Sequence, residues 1–190
     1  MRTPIIETLV GLLMLQSASP AFAQNYSVVN PMIGRSGNPV QSAKSIQRVD
    51  PNSSLINLRQ LALNLVNRDR KQKGLSDLVH NPLLDQVAQA HAEDMIRQNY
   101  FSHYSKDGRT PMQRVQATGS TMQAGENILS YQLGTYKPSR PELISEFQSL
   151  FYNSASHRKI MMRSQYAHFG YGFATTAQGR IVAVQLFGTP

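Results

Sequence analysis

Apolar positions recur at helical spacing in the first half of the chain and at strand spacing near its end. Leu55, Leu58, Leu61, Ala62, Leu65 and Val66 predict a helix that opens near Ser53 as N-cap and stops at Gly74. Asn81-Pro82, a cap followed by a first-turn proline, predicts a second helix ending near Asn99. Its buried face carries Leu84, Val87, Ala88, His91 and Met95. Lys106 to Arg109 reads as a turn, and Thr110-Pro111 opens a short helix that ends at Gly119. After Gly125 only a short apolar step, Asn127 to Leu129, stands out.

Beyond a loop at Pro138 to Pro141, Leu143, Phe147, Leu150 and Phe151 predict a helix over 142–153, with further helical turns over 156–162. Tyr166 to Thr176 and Arg180 to Phe187, separated by Ala177-Gln178-Gly179, read as a β-hairpin. Helices first and a hairpin last argue for a small sheet covered by helices.

The ends of the pattern set the organisation. Arg2, the apolar run Leu9 to Leu15 and the Ala21-Phe22-Ala23 step read as a secretory signal peptide over 1–23, cleaved before Gln24. Residues 24–51 are rich in Asn, Ser, Pro and Gln and carry too little apolar surface to offset the entropy of ordering, so they read as a disordered linker. The folded domain is expected over 52–190. No other stretch is apolar for long enough to span a membrane, so an exported chain with no transmembrane segment in its mature form is expected.

Charge and cysteine content narrow the chemistry. The chain has 190 residues with 19 basic and 11 acidic side chains, a formal charge of +8, but charged residues are only 16% of the total. The densest run, Arg68 to Lys73, lies where a helix C-terminus welcomes cations and lacks the interleaved aromatics of a nucleic-acid surface. No nucleic-acid partner is expected; attraction to a lipid or cell-envelope component is compatible with the charge. With no cysteine, neither a disulfide framework nor a lipid anchor through a thiol is available.

Several punctuating segments occur in a recognisable order. They are Leu65-Val66-Asn67-Arg68-Asp69-Arg70, Phe101-Ser102-His103, Asp107-Gly108-Arg109-Thr110-Pro111 with Arg114, and Gly125-Glu126-Asn127-Ile128. Asn153 to Arg158, Phe169-Gly170-Tyr171-Gly172 and Gln185-Leu186-Phe187-Gly188 complete the series. Together they resemble the cysteine-free bacterial branch of the CAP family, named for cysteine-rich secretory proteins, antigen 5 and pathogenesis-related 1. The resemblance covers residues 53–190. It implies an α+β fold, a three-layer α-β-α sandwich with a small central, mainly antiparallel sheet and a central cleft.

In that family the cleft is often lined by two histidines and two acidic residues. His103 and His157 match the histidines and Glu126 matches one acid. Ser154 stands where the second acid is usual, and Phe151 where a Trp is usual. Two imidazoles and a carboxylate, His103, His157 and Glu126, suit a divalent transition metal, zinc foremost. His91, on an apolar helix face, reads as a core or cleft-edge residue. No His-Glu-x-x-His and no Gly-x-Ser-x-Gly is present. Two function classes follow: a secreted binding module for a cation or a small apolar or envelope ligand, and a metal-dependent hydrolase with Glu126 as general base. The resemblance favours the first, because it implies a shared fold without an agreed shared reaction.

Overall fold

The computed structural model describes residues 51–135 and 138–190. The expected signal peptide and, save Pro51, the expected linker lie outside the described residues. In chain order the elements are α1 (Pro51–Lys71), β1 (Val79–His80), α2 (Pro82–Arg97), α3 (Pro111–Gln116) and β2 (Ala124–Gln132). They are followed by α4 (Arg140–Asn153), α5 (Ala155–Met161), β3 (His168–Thr175) and β4 (Arg180–Gly188). None of the described helices is long and apolar enough to cross a membrane.

Helix ends follow local chemistry. The Asn81 side chain accepts from the Leu83 and Leu84 amides at 3.0 and 3.2 Å, and Pro82 needs no partner for a missing N–H. Thr110 with Gln113, and Ser139 with Glu142, form reciprocal capping boxes at α3 and α4. Gly74, at φ 69°, takes the left-handed conformation that ends α1. Ser53, expected as the N-cap of α1, lies inside its first turn.

The four-stranded sheet has the order β1-β3-β4-β2, antiparallel except for the short parallel β1–β3 pair. Alternation along β4 divides the core. Ile181, Ala183 and Phe187 pack with Leu58, Val66, Phe147 and Phe151 of α1 and α4. Val182, Val184 and Leu186 pack with Leu84, Ala88 and Met95 of α2 and Val115 of α3. The result is the expected α-β-α sandwich: α1, α4 and α5 on one face, α2 and α3 on the other.

Glycine sets how closely α2 approaches the sheet. A Cβ on Gly170 would collide with the backbone of Leu84 and Asp85, and one on Gly172 with that of Ala88 and Gln89. The Gly-x-Gly pair is thus a packing surface and not a phosphate loop. That closeness lets α2 serve the edge of β3 that the two-residue β1 leaves open. The Tyr171 N–H donates to Asp85 Oδ1 at 2.8 Å and the Phe173 N–H to Gln89 Oε1 at 3.2 Å. Gln89 Nε2 returns a bond to the Phe173 carbonyl at 3.0 Å. Side chains replace a neighbouring strand and close the edge to pairing.

Two elements differ from expectation. β1, with Val79 and His80, has no counterpart in the sequence pattern, because a strand of two residues is too short to show a period. β2 runs for nine residues, not only over the apolar step Asn127 to Leu129. Its pattern is hidden because Glu126 and Asn127 are polar yet buried.

Candidate functional site

β2 is an edge strand of the sheet, and its consecutive side chains point to opposite faces. Glu126 therefore faces the α2–α3 layer and Asn127 the α1–α4–α5 layer. Each meets buried partners that fix the surroundings of one histidine.

On the first face, Arg114 of α3 is the organising residue. Its Nη1 donates to the carbonyls of His103 and Arg109 at 2.8 and 3.0 Å and to Ser105 Oγ at 3.1 Å, gathering the loop after α2. Its Nη2 donates to Glu126 Oε2 at 2.5 Å. Glu126 Oε1 lies 2.8 Å from His103 Nδ1. The carboxylate has no exposed surface, whereas the His103 side chain is 49% exposed. With Nδ1–H donated to Glu126, a neutral His103 ring keeps its Nε2 lone pair for the solvent side. His91, buried on α2, has Nε2 at 3.0 Å from the Ser102 carbonyl and 3.9 Å from Glu126 Oε1. Burial pushes its pKa down, opposed by the Glu126 charge.

On the second face, Asn127 Nδ2 donates to the His157 carbonyl and to Gln185 Oε1, each at 3.1 Å. Gln185 Nε2 continues to Gln148 Oε1 at 2.9 Å, and Gln148 Nε2 to Asp69 Oδ2 at 2.7 Å. This chain of side chains crosses the core from α5 to α1 and satisfies its buried amides except for Asn127 Oδ1, which has no partner. The His157 ring packs edge-on against Phe151, 5.3 Å between centroids. Its Nδ1 is buried without a partner. Burial lowers the His157 pKa, and the charge of His103 lowers it further, so the two imidazoles sense each other around the β2 edge.

The sequence-predicted residues are thus placed unequally. His103 and Glu126 are in direct contact, and His157 lies within electrostatic reach of His103. Ser154, at the junction of α4 and α5, bonds through Oγ only to Ser156 Oγ at 3.1 Å. Among the described residues no group of three or more His, Cys, Asp or Glu side chains is arranged to hold a metal ion. Both Glu126 oxygens are engaged, by Arg114 and His103; His103 Nδ1 is taken up by that contact and His157 Nδ1 is buried. Sequence reasoning does not single out Arg114 as a site residue, although it stands in one of the ordered family segments, on the inward face of a short helix.

Residues 63–187 match the family described as CAP: cysteine-rich secretory protein family. The chain is 28% identical over 174 residues to the uncharacterized protein YkwD of Bacillus subtilis, covering 91% of this chain and 63% of that protein. It therefore spans less than two thirds of that relative's length. An extracellular protein of Bacillus anthracis containing an SCP domain superposes with TM-score 0.58 at 26% identity, over 75% of this chain and 44% of that one. An outer surface protein from Borrelia burgdorferi superposes with TM-score 0.59 at 20% identity, over 74% of this chain and 96% of that one, a likeness of fold.

Proposed function

The chain belongs to the cysteine-rich secretory protein (CAP) family, and we propose that it is an exported binding module whose cleft lies between His103 and His157. The cleft takes a small envelope-derived ligand or a weakly held divalent cation, zinc before others. The observation that supports this reading is the linked set Arg114–Glu126–His103. Arg114 neutralises the buried carboxylate, and the carboxylate orients the His103 ring with Nε2 outward. His157 supplies a second imidazole, and its lowered pKa favours the neutral form that ligates. Two imidazoles are one protein ligand fewer than the three of a catalytic zinc site, so exchange is fast. A zinc ion there would supply Lewis acidity to an oxygen of the bound ligand.

The hydrolase alternative needs Glu126 as general base, with an oxygen open to a water molecule. Arg114 and His103 engage both oxygens, which favours binding over turnover. Phe101 and Tyr104, both exposed and flanking His103 in the chain, offer apolar contact to an envelope ligand. Export is supported by the leader-like N-terminus and by the extracellular Bacillus anthracis relative.

Titration calorimetry with zinc tests the cation half of this reading. The native protein should bind weakly, His157→Ala should abolish the heat, and Ser154→Glu, three residues before His157 on the same helical turn, should tighten binding. Three indistinguishable curves would remove the cation from the proposal. For the enzymatic alternative, peptidase or esterase turnover that vanishes in Glu126→Gln while the fold survives would restore it.

A further inference from the structure

A shallow groove of about 440 Å³ runs between α5 and the turn that follows α1, lined by Lys73, Leu75, Ala155, Arg158, Lys159 and Met162. The four residues from α5 and its C-cap are spaced i, i+3, i+4 and i+7, which sets them on one face of the helix. His157 falls on the opposite side, where its ring packs on Phe151. None of His103, Glu126, Ser154 and His157 lines the groove.

Its walls are held together by Arg70, a side chain with no exposed surface. Arg70 Nε donates to the Ser76 carbonyl at 3.0 Å, and Nη1 to those of Met161 and Arg163 at 2.8 and 3.0 Å. One guanidinium thus fixes the turn after α1 against the end of α5. Gly74, at φ 69°, bends the chain between Lys73 and Leu75. The groove is therefore in place before a ligand enters it.

Its charge has one sign. None of Lys73, Arg158 and Lys159 forms an ion pair among the described residues. Arg158 is held by an uncharged residue: Nη1 donates to the Tyr152 carbonyl at 2.6 Å, and the guanidinium lies 5.7 Å from the Tyr152 ring centroid. Residues 70–76 and 147–163, which form the walls, contain no Asp or Glu. The dipole of α5 accounts for Arg158 and Lys159 in its last turn. It does not account for Lys73, which converges on them from another element, nor for the half-buried Leu75 and Met162 that line the same groove.

We propose that this groove binds a small phosphate ester carrying an apolar group. An arginine fork and two lysine point charges are apt partners for phosphate oxygens. A monoester brings up to two negative charges to three cations and relieves their mutual repulsion; a single carboxylate brings one. The apolar group lies on Leu75, Ala155 and Met162. Because Leu75 and Met162 do not stand clear of the surface, the occupant is a soluble ester and not a bilayer.

Hexyl phosphate is the probe, titrated into the full chain and followed by amide chemical shifts. Saturable shifts are expected at Leu75, Ala155 and Met162. Inorganic phosphate should bind about tenfold more weakly, the order expected when two methylene groups are no longer buried, and hexanol should shift nothing. Lys73→Gln and Lys159→Gln, both at exposed positions, should each weaken binding about threefold, and Lys73→Arg should restore it. The proposal is overturned by no saturable shift at these residues, by equal binding of inorganic phosphate, or by native binding in both glutamine variants. Displacement of hexyl phosphate by phosphatidylglycerol vesicles would also overturn it, making this face a membrane contact. The zinc titration above reads the opposite side of α5, so either result can fail without the other.

Discussion

Arg114 and Glu126 form an ion pair at 2.5 Å in which the carboxylate is wholly shielded and the guanidinium is 9% exposed. The pair joins α3 to the edge strand β2, and the same arginine holds the backbone of His103 and Arg109. Removing one partner leaves the other charge buried and uncompensated. Arg114→Met should therefore lower stability by about 3–5 kcal/mol in urea denaturation. Adding Glu126→Gln to that variant should recover part of the loss, because it removes the stranded charge. A loss below about 1 kcal/mol for Arg114→Met would place the pair among solvent-screened ones.

Much of the frame is legible in the chain because its signals are local. Asn81-Pro82 predicts the start of α2, Gly74 the end of α1, and Ala177-Gln178-Gly179 the hairpin loop between β3 and β4. The two departures, β1 and the full length of β2, have no local signal. Val79–His80 is held by pairing with His168 and Phe169, nearly ninety positions away, and the first half of β2 buries polar residues where alternation calls for apolar ones. Arg114 and the chain Asn127–Gln185–Gln148–Asp69 are opaque for the same reason. Arginine and glutamine read as surface residues until their partners, brought in by the tertiary fold, are known. His103 and Glu126, 23 residues apart, are linked by no period either; only the ordered family segments point to them.

The seat of α2 on β3 has a sharp steric test. Gly172→Ala introduces a methyl group against the backbone of Ala88 and Gln89, which cannot swing aside as a side chain can. The helix must lift, straining the Gln89 bonds to Phe173 along the strand edge. A stability loss at or above the upper end of about 1–3 kcal/mol is expected. Alanine at Gly134, where an added Cβ meets nothing within 4 Å, is the control and should stay near neutral. Equal melting temperatures for the two variants would show that α2 is not pressed against β3.

Acid should weaken the fold through its histidines. Burial lowers the pKa of His91 below its ordinary 6.5, and burial with the charge of His103 lowers that of His157. The unfolded chain then binds more protons than the native one between each lowered value and 6.5, so stability rises with pH across that window. Their contribution is complete above about 6.5 and is lost as the pH falls through the lowered values. Urea midpoints measured from pH 7.5 down to 5 should fall, and His91→Gln should flatten the slope. An unchanged slope in that variant would mean that His91 does not titrate differently in the two states.

The amide chain makes a prediction that separates the two histidines. Gln185 is buried; it accepts from Asn127 and donates to Gln148, and Asn127 in turn holds the His157 carbonyl. Gln185→Leu fits the space but strands Gln148 Oε1 and removes one of the two partners of Asn127 Nδ2. A cost of about 1–3 kcal/mol is expected for buried polar groups left without partners. The freed Asn127 also relaxes its hold on α5, so the ring resonances and titration midpoint of His157 should move. His103 hangs from Arg114 and Glu126 on the opposite face of β2, and its resonances should stay where they are. Equal movement of both histidines would mean that the two faces of β2 are not independent supports. No movement of either would reduce the amide chain to core filling.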